Sequence, residues 1–538
     1  MRKRRIGIID LVTKSPSPGL WAKVMNANFA SIMPQAIGTW CESWGHEVQL
    51  VCHTGNQDLM SILPRECDVV FIGAFTQAAH LSYSLSRLLQ SKGAVTVLGG
   101  PHARCYPQDA QQYFDYVLGF TDRDLIKDVL DDCVPHRPVG LHLSAGRQPA
   151  TLPGVRQRWK FVEATLRQAP VVKIVPMIGS LGCPYTCSFC IDAAVPYQEL
   201  DLEEMKDDLR FLRTKYKRPH VGWHDPNFGI RFDDCMEAIE EAIPPDSIDF
   251  VAESSLSVLS EPHIKRMKKN GFKALLPGIE SWFDLGGKSK TGANKGMEKV
   301  TRVAEQVNMI MRHIPYVQTN FVFGLDSDEG AEPFELTKRF LDLTPGAFPA
   351  FSLLTSFGQA AELNLSYQRD GRVLPFPFHF LNNNHAMNVR VRNYQWPEFY
   401  NHVIDLTKYA CSNRMKARRL WANGPSIPGL LNMIRAVSTE GAGRIKYYTK
   451  VRNQLETDSS FRAYFEQEST DLHDFYTHQI HRDLGPFSEW LPDTAIHHDP
   501  YAYLKASNGN GNGNGDGAGH PHEHAGTAAI APKPPMEV

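Results

Sequence analysis

The run Val171-Val-Lys-Ile-Val-Pro-Met-Ile178 leads directly into Gly179-Ser-Leu-Gly-Cys183-Pro-Tyr-Thr-Cys187-Ser-Phe-Cys190. The first eight residues, apolar except for Lys173, read as a buried strand. The Gly, Ser and Pro that follow read as a loop. Three cysteines, spaced C-x3-C-x2-C, therefore sit where a strand ends. Further strand-like runs occur at 220–224, 249–253, 274–279 and 318–323, and helical stretches at 201–214, 233–242, 260–270, 295–311 and 331–342 separate them. Repeated strand–helix units predict parallel strands in a full or partial βα barrel over 171–360. Active sites of such barrels lie at the carboxyl ends of the strands, where the cysteine loop falls.

Upstream, a separate α/β series fills residues 1–135. Strands are expected at 5–12, 48–52, 68–73, 94–98 and 115–118, and helices at 29–44, 78–91 and 122–131. This predicts a doubly wound, Rossmann-like sheet, which binds ligands at its strands' carboxyl ends. Two loops fall there. One is Gly73-Ala-Phe-Thr-Gln77, with Thr76. The other is Gly99-Gly-Pro-His102, whose Gly99 and Gly100 either admit a ligand close to the backbone or form a plain tight turn. Residues 136–170, rich in Pro, Arg and Gln, read as a linker. Residues 361–505 read as α-rich, with helices at 397–411 and 442–468. There the aromatic segment Phe376–Phe380 is read first as core, with pocket lining beside Asn382–Asn384 as the other reading. Residues 506–538, with Asn-Gly repeats and His520, His522 and His524, read as a disordered tail.

Composition sets the class. The 538 residues are 42% hydrophobic and 22% charged, with net charge -2, which fits a globular chain of two to four domains. It offers no electrostatic case for a nucleic-acid partner. No apolar run approaches the ~18 residues of a membrane span, and the basic start Met1-Arg-Lys-Arg-Arg5 lacks the apolar core of a secretion signal. Seven of the ten cysteines are scattered singly. They suggest a reducing compartment, hence the cytoplasm, and core-filling roles. His53, after the second strand, reads as a surface loop residue.

Three thiolates on one short loop can hold three corners of a [4Fe–4S] cube and leave the fourth iron open. A zinc site is the alternative, and it would need a fourth ligand from elsewhere in the chain.

With Phe189 just before the last cysteine, this triad resembles that of the radical S-adenosylmethionine (SAM) enzymes. The resemblance implies that Cys183, Cys187 and Cys190 ligate the cluster and that SAM chelates the open iron. One-electron reduction then yields methionine and a 5′-deoxyadenosyl radical that takes a hydrogen atom from substrate. It also implies SAM contacts after successive strands: Phe189 near the adenine, Asp225 and Asn227, Glu253 and Ser255, Gly278, Glu280 and Ser281, and Gly324 in Asn320-Phe-Val-Phe-Gly-Leu-Asp326. The N-terminal domain resembles that of the cobalamin-binding subgroup, through Ser31–Gly38, Gly73–Thr76 and Val97–His102. Thr76, Gly99 and Gly100 would face that cofactor. One departure is plain: the loop Thr13–Gly19 has no Asp-x-His-x-x-Gly. The resemblance points to a cobalamin-dependent methyltransferase acting on a small molecule or lipid, supplied with electrons by a flavodoxin or ferredoxin. The alternatives are another radical reaction, such as cyclisation or rearrangement, and a non-catalytic iron–sulfur sensor.

Overall fold

Two series of strands and helices become two parallel sheets. In this computed structural model, residues 2–12, 25–53, 63, 66–133, 135, 137–169, 171–185, 187–192, 194–283 and 295–509 are described. The first sheet contains β1 (Arg5–Leu11), β2 (Glu47–His53), β3 (Val69–Ala74), β4 (Val95–Gly99), β5 (Tyr116–Leu118) and β6 (Leu141–Leu143). They lie in the order β2-β1-β3-β4-β5-β6, all parallel. β1 shows why such strands are apolar throughout. Ile6 and Ile8 pack with Trp40 and Phe161 on one face, while Ile9 and Leu11 join the cluster of Ala79 and Tyr83 on the other.

The stretch read as a linker, 136–170, holds β6 and the helix Trp159–Leu166. β6 escaped notice because it is a short, exposed edge strand. The arginines that suggested a linker include a buried bridge. Arg158 donates to Gln35 Oε1 (2.5 Å) in the first domain and to Pro176 O (2.9 Å) in the second. Asn28 Oδ1 accepts from Ile174 N (2.8 Å), a second tie. His53 is also corrected: it is the last residue of β2 and is buried.

The second sheet begins with β7 (Ile174–Met177). A small antiparallel hairpin follows, β8 (Ser180–Leu181) with β9 (Gln198–Glu199). Then come β10 (His220–Trp223), β11 (Asp249–Ser255), β12 (Phe272–Glu280), β13 (Tyr316–Phe323) and β14 (Phe348–Leu353). The order β7-β10-β11-β12-β13-β14, all parallel, makes an open six-stranded partial barrel with β7 and β14 at its edges. Alternation along β13 separates the faces. Phe321 packs on Trp282 and Phe340, and Phe323 on Phe334 of the helix Glu332–Leu343, so these point outward. Gln318 and Asn320 therefore point inward.

The C-terminal region is helical, as expected, and it covers the edge strand β14. Arg444 donates to Phe351 O (2.7 Å), and Leu353 N donates to Asn383 O (2.6 Å). The segment Phe376–Phe380 is core. Phe376 packs on Tyr464, Phe465 and Tyr476, while Phe378 reaches into the first domain against His102 and Tyr106. The tail reading from 506 overlaps the helix Ala502–Gly509; His520, His522 and His524 lie outside the described residues. Among the described residues no helix is long and apolar enough to cross a membrane.

Candidate functional site at the carboxyl ends of the strands

β7 delivers the cysteine loop, and the β8–β9 hairpin pinches its neck. Leu200 N closes the pinch by donating to Gly179 O (3.0 Å). Gly182, just before Cys183, has φ +67°, and a Cβ there would lie 2.6 Å from Pro196 O and 2.7 Å from Val195 O. Both legs of the loop thus meet at a position that only glycine fills. Gly182→Ala is expected to cost more than about 1 kcal/mol through left-handed strain alone, with the contact to the return leg added. The check is a lower melting temperature together with reduced iron content after reconstitution.

Cys183 and Cys187 are buried and Cys190 is half-buried. Cys190 N donates to Cys187 O (3.0 Å), forming a tight turn around Phe189, and Leu363 N donates to Ser188 O (2.9 Å), docking a C-terminal helix on the loop. Among the described residues no three His, Cys, Asp or Glu side chains gather about a single ion. A cube asks for something else: one thiolate for each of three irons, which three cysteines on one turn-rich loop suit. Cys235 packs beneath Gly179, 3.3 Å from where a Cβ would be, but burial pushes its thiol up to about 12. It stays a protonated core residue, as do Cys41 and Cys105, also pushed to about 12.

The strand ends around the loop divide the expected contacts into two groups. Asp225 helps to build the loop: its carboxylate accepts from Gly179 N (2.9 Å) and from Ser180 Oγ (2.7 Å). Arg231, which no sequence motif marks, donates to Gly179 O (3.1 Å) and Leu200 O (2.9 Å) at the same neck. Asn227 ties β10 to β11, accepting from Ser255 N (3.0 Å) and donating to Ser255 Oγ (3.1 Å). Ser281 is buried in a turn, accepting from Phe283 N. Gly324, at φ +93°, forms another turn in which Gly324 N and Leu325 N donate to Asp328 (2.9 and 3.1 Å).

Glu253, Ser255, Gly278 and Glu280 form the second group, on the inner face. Ser255 is in register with Gly278, and Gly278 with Asn320. Glu253 is exposed within this face, two residues before Ser255. Glu280 has φ +65° at a register shift in β12, a strained conformation for a side-chain-bearing residue. Its carboxylate folds back over Gly278, where a Cβ would lie 2.1 Å from Glu280 Oε1. The Gly-Ile-Glu sequence is thus a single device: the glycine leaves room for the acid to turn inward.

Asp328 supplies a pH test of the Gly324 turn. Burial pushes it from 3.8 up to about 6, against the pull of its two N–H donors. The unfolded carboxyl ionises first as pH rises, so the folded state holds the extra proton between about pH 4 and pH 6 and loses about 3 kcal/mol across that window. Asp328→Asn keeps the acceptor and is expected to remove this slope, as denaturant melts below and above the window would show.

At the first sheet, Gly100 has φ +93° and a Cβ would meet Ala74 O at 2.9 Å, whereas a Cβ on Gly99 would meet nothing within 4 Å. The end of β4 therefore presents bare backbone to open space, which a flat ligand such as a corrin can approach. Thr76 opens the turn Thr76–Ala78 and is buried beside it. The loop Thr13–Gly19 lies outside the described residues. His102 is drawn into the domain seam. Tyr83 Oη donates to Asp109 (2.6 Å), so its contact with His102 Nε2 (2.7 Å) has the imidazole as donor. Burial pushes His102 down to about 3, leaving it neutral.

Residues 177–332 match the radical SAM superfamily. Over 298 residues, 54% of this chain, the sequence is 24% identical to the bacteriochlorophyllide d C-12(1)-methyltransferase of Chlorobaculum tepidum. The match spans 64% of that relative's length. The bacteriochlorophyllide d C-8(2)-methyltransferase of the same organism is 24% identical over 322 residues, covering 57% of this chain and 69% of the relative. The fold resembles that of the cobalamin-dependent S-adenosylmethionine radical enzyme OxsB with aqua-cobalamin bound. The TM-score is 0.51 at 12% identity, over 92% of this chain and 85% of that one.

Proposed function

We propose that this chain, whose residues 177–332 form a radical SAM domain, is a cobalamin-dependent radical enzyme that methylates a small molecule or lipid. The observation that carries the reading is the cysteine loop at the carboxyl end of β7, beside an inner face that presents Glu253, Ser255, Gly278 and Glu280. The names of the two relatives, both methyltransferases, support methyl transfer, and that of OxsB supports the cobalamin-dependent form.

Cys183, Cys187 and Cys190 would hold three irons of a [4Fe–4S] cluster. When bound, the cluster, SAM and cobalamin supply electron transfer, a carbon-centred radical and a methyl carrier. The chain's own part is placement. Asp225 and Arg231 fix the neck of the loop. Glu253, Glu280 and Ser255 offer carboxylates and a hydroxyl to the amine and ribose of SAM. Phe189, on the same loop, would cover the adenine. Gly99 would leave room for the corrin, with Gly100 making the turn against Ala74 and Thr76 alongside. Electrons would come from a flavodoxin- or ferredoxin-type donor.

The test of methyl transfer is reconstitution without oxygen in the presence of hydroxocobalamin, followed by gel filtration and spectroscopy. Retained cobalamin, and S-adenosylhomocysteine formed with substrate, are expected. Formation of 5′-deoxyadenosine without retained cobalamin would move the reading to another radical reaction.

A further inference from the structure

A cavity of about 220 Å³ lies between the inner face of β13 and β14 and the C-terminal helices. It borders the same sheet face as the strand-end residues, since Gly278, Asn320 and Ala350 are successive register partners and both Asn320 and Ala350 line it. Three arginines reach it from three different helical segments: Arg419, Arg435 and Arg444. One carboxylate, Glu440, faces them.

The arginines are held rather than free to swing. Arg435 is buried, donates to Tyr316 Oη (2.5 Å) and Gln318 Oε1 (2.6 Å), pairs with Glu440, and stacks 3.9 Å above the Phe348 ring. Arg444 donates to Phe351 O and to Asn384 Oδ1 (2.5 Å). Arg419 is only 2% exposed. Its Nη1 donates to Ala410 O (2.6 Å) and its Nε to Ala347 O (3.4 Å), while its Nη2 has no hydrogen-bond partner among the described residues. Burial lowers Arg419 only to about 10, so it stays charged at neutral pH.

Three guanidinium groups against one carboxylate leave a net positive lining, and a buried donor without a partner is costly. Capping the carbonyls of Ala347, just before β14, and of Ala410, at the end of the helix Trp396–Ala410, accounts for Nε and Nη1 but not for Nη2 or the cavity. Planar, always-charged forks are suited to carboxylate and phosphate oxygens.

We propose that this cavity binds the carboxylate or phosphate group of the molecule the chain acts on, so that the substrate is an anion. That the anion belongs to the reacting molecule rests on the proposed activity; the anion site itself does not.

The test is anaerobic calorimetry on the cluster-loaded full chain. Pyrophosphate and succinate are titrated as probes, each with and without saturating SAM. At least one probe is expected to bind the wild type, and which one binds tells phosphate from carboxylate. Arg419→Gln and Arg444→Gln should each weaken it about tenfold or more, the loss of a charged hydrogen-bond pair. Ser352→Phe fills the cavity without touching a charge and should have the same effect, which covers the case of an arginine variant that fails to fold. The site is refuted if neither probe binds, if the variants bind as tightly as the wild type, or if SAM displaces the probe. Probe binding in a protein that never forms 5′-deoxyadenosine would leave the anion site standing and overturn its assignment to a radical substrate.

Discussion

Cys187→Ala is expected to abolish bound iron and SAM cleavage together, while the chain stays folded. Cys187 would be the middle ligand of the proposed cluster, and its carbonyl also accepts from Cys190 N. The substitution removes the thiolate and leaves that backbone bond in place. The loop neck, formed by Gly182, Asp225 and Arg231, does not involve the side chain either. Iron and sulfide analysis, thermal melting and 5′-deoxyadenosine assay on one preparation check all three points. A variant that retained a full cluster and its activity would remove Cys187 from the ligand set.

Asp225→Ala is expected to destabilise the chain by about 2–4 kcal/mol, because a buried acceptor is lost and its donors are left without it. The donors are Gly179 N and Ser180 Oγ, the two residues that turn β7 into the cysteine loop. Cluster occupancy should therefore fall with stability. Asp225→Asn should rescue part of both, since its one amide oxygen still accepts from Gly179 N while its NH2 donates to the hydroxyl. If Asp225 instead acted only by touching SAM, the Ala variant would melt like the wild type and bind a full cluster, with only SAM affinity reduced. Melting temperature and iron content separate the two roles.

Asp225 also marks where sequence reasoning stopped. The C-x3-C-x2-C triad was legible because its meaning is local, carried by eight residues. The buried strands of both sheets were legible for the same reason, as short apolar runs. The acid after β10 is expected at SAM by resemblance, and the sequence does not announce its hydrogen-bond partners, 46 and 45 residues upstream. Arg231 and Arg435 work through partners 52 and 119 residues away, and no local pattern announces such contacts. β14 went unread because Pro349 interrupts it, which an edge strand tolerates. The single helix expected over 442–468 is interrupted at Asp458, which caps a new helix by accepting from Ser460 N and Phe461 N. The Asp-Ser-Ser run was a readable capping signal there. Glu280 is singled out by resemblance, but its turn over Gly278 depends on a left-handed backbone that spacing does not encode.

The most direct measurement takes the full chain, reconstituted with iron and sulfide without oxygen, and incubates it with SAM and a strong reductant. The account predicts 5′-deoxyadenosine and methionine in equal amounts, dependent on the reductant and absent in Cys187→Ala. A fully cluster-loaded protein that binds SAM and yields no 5′-deoxyadenosine would contradict it.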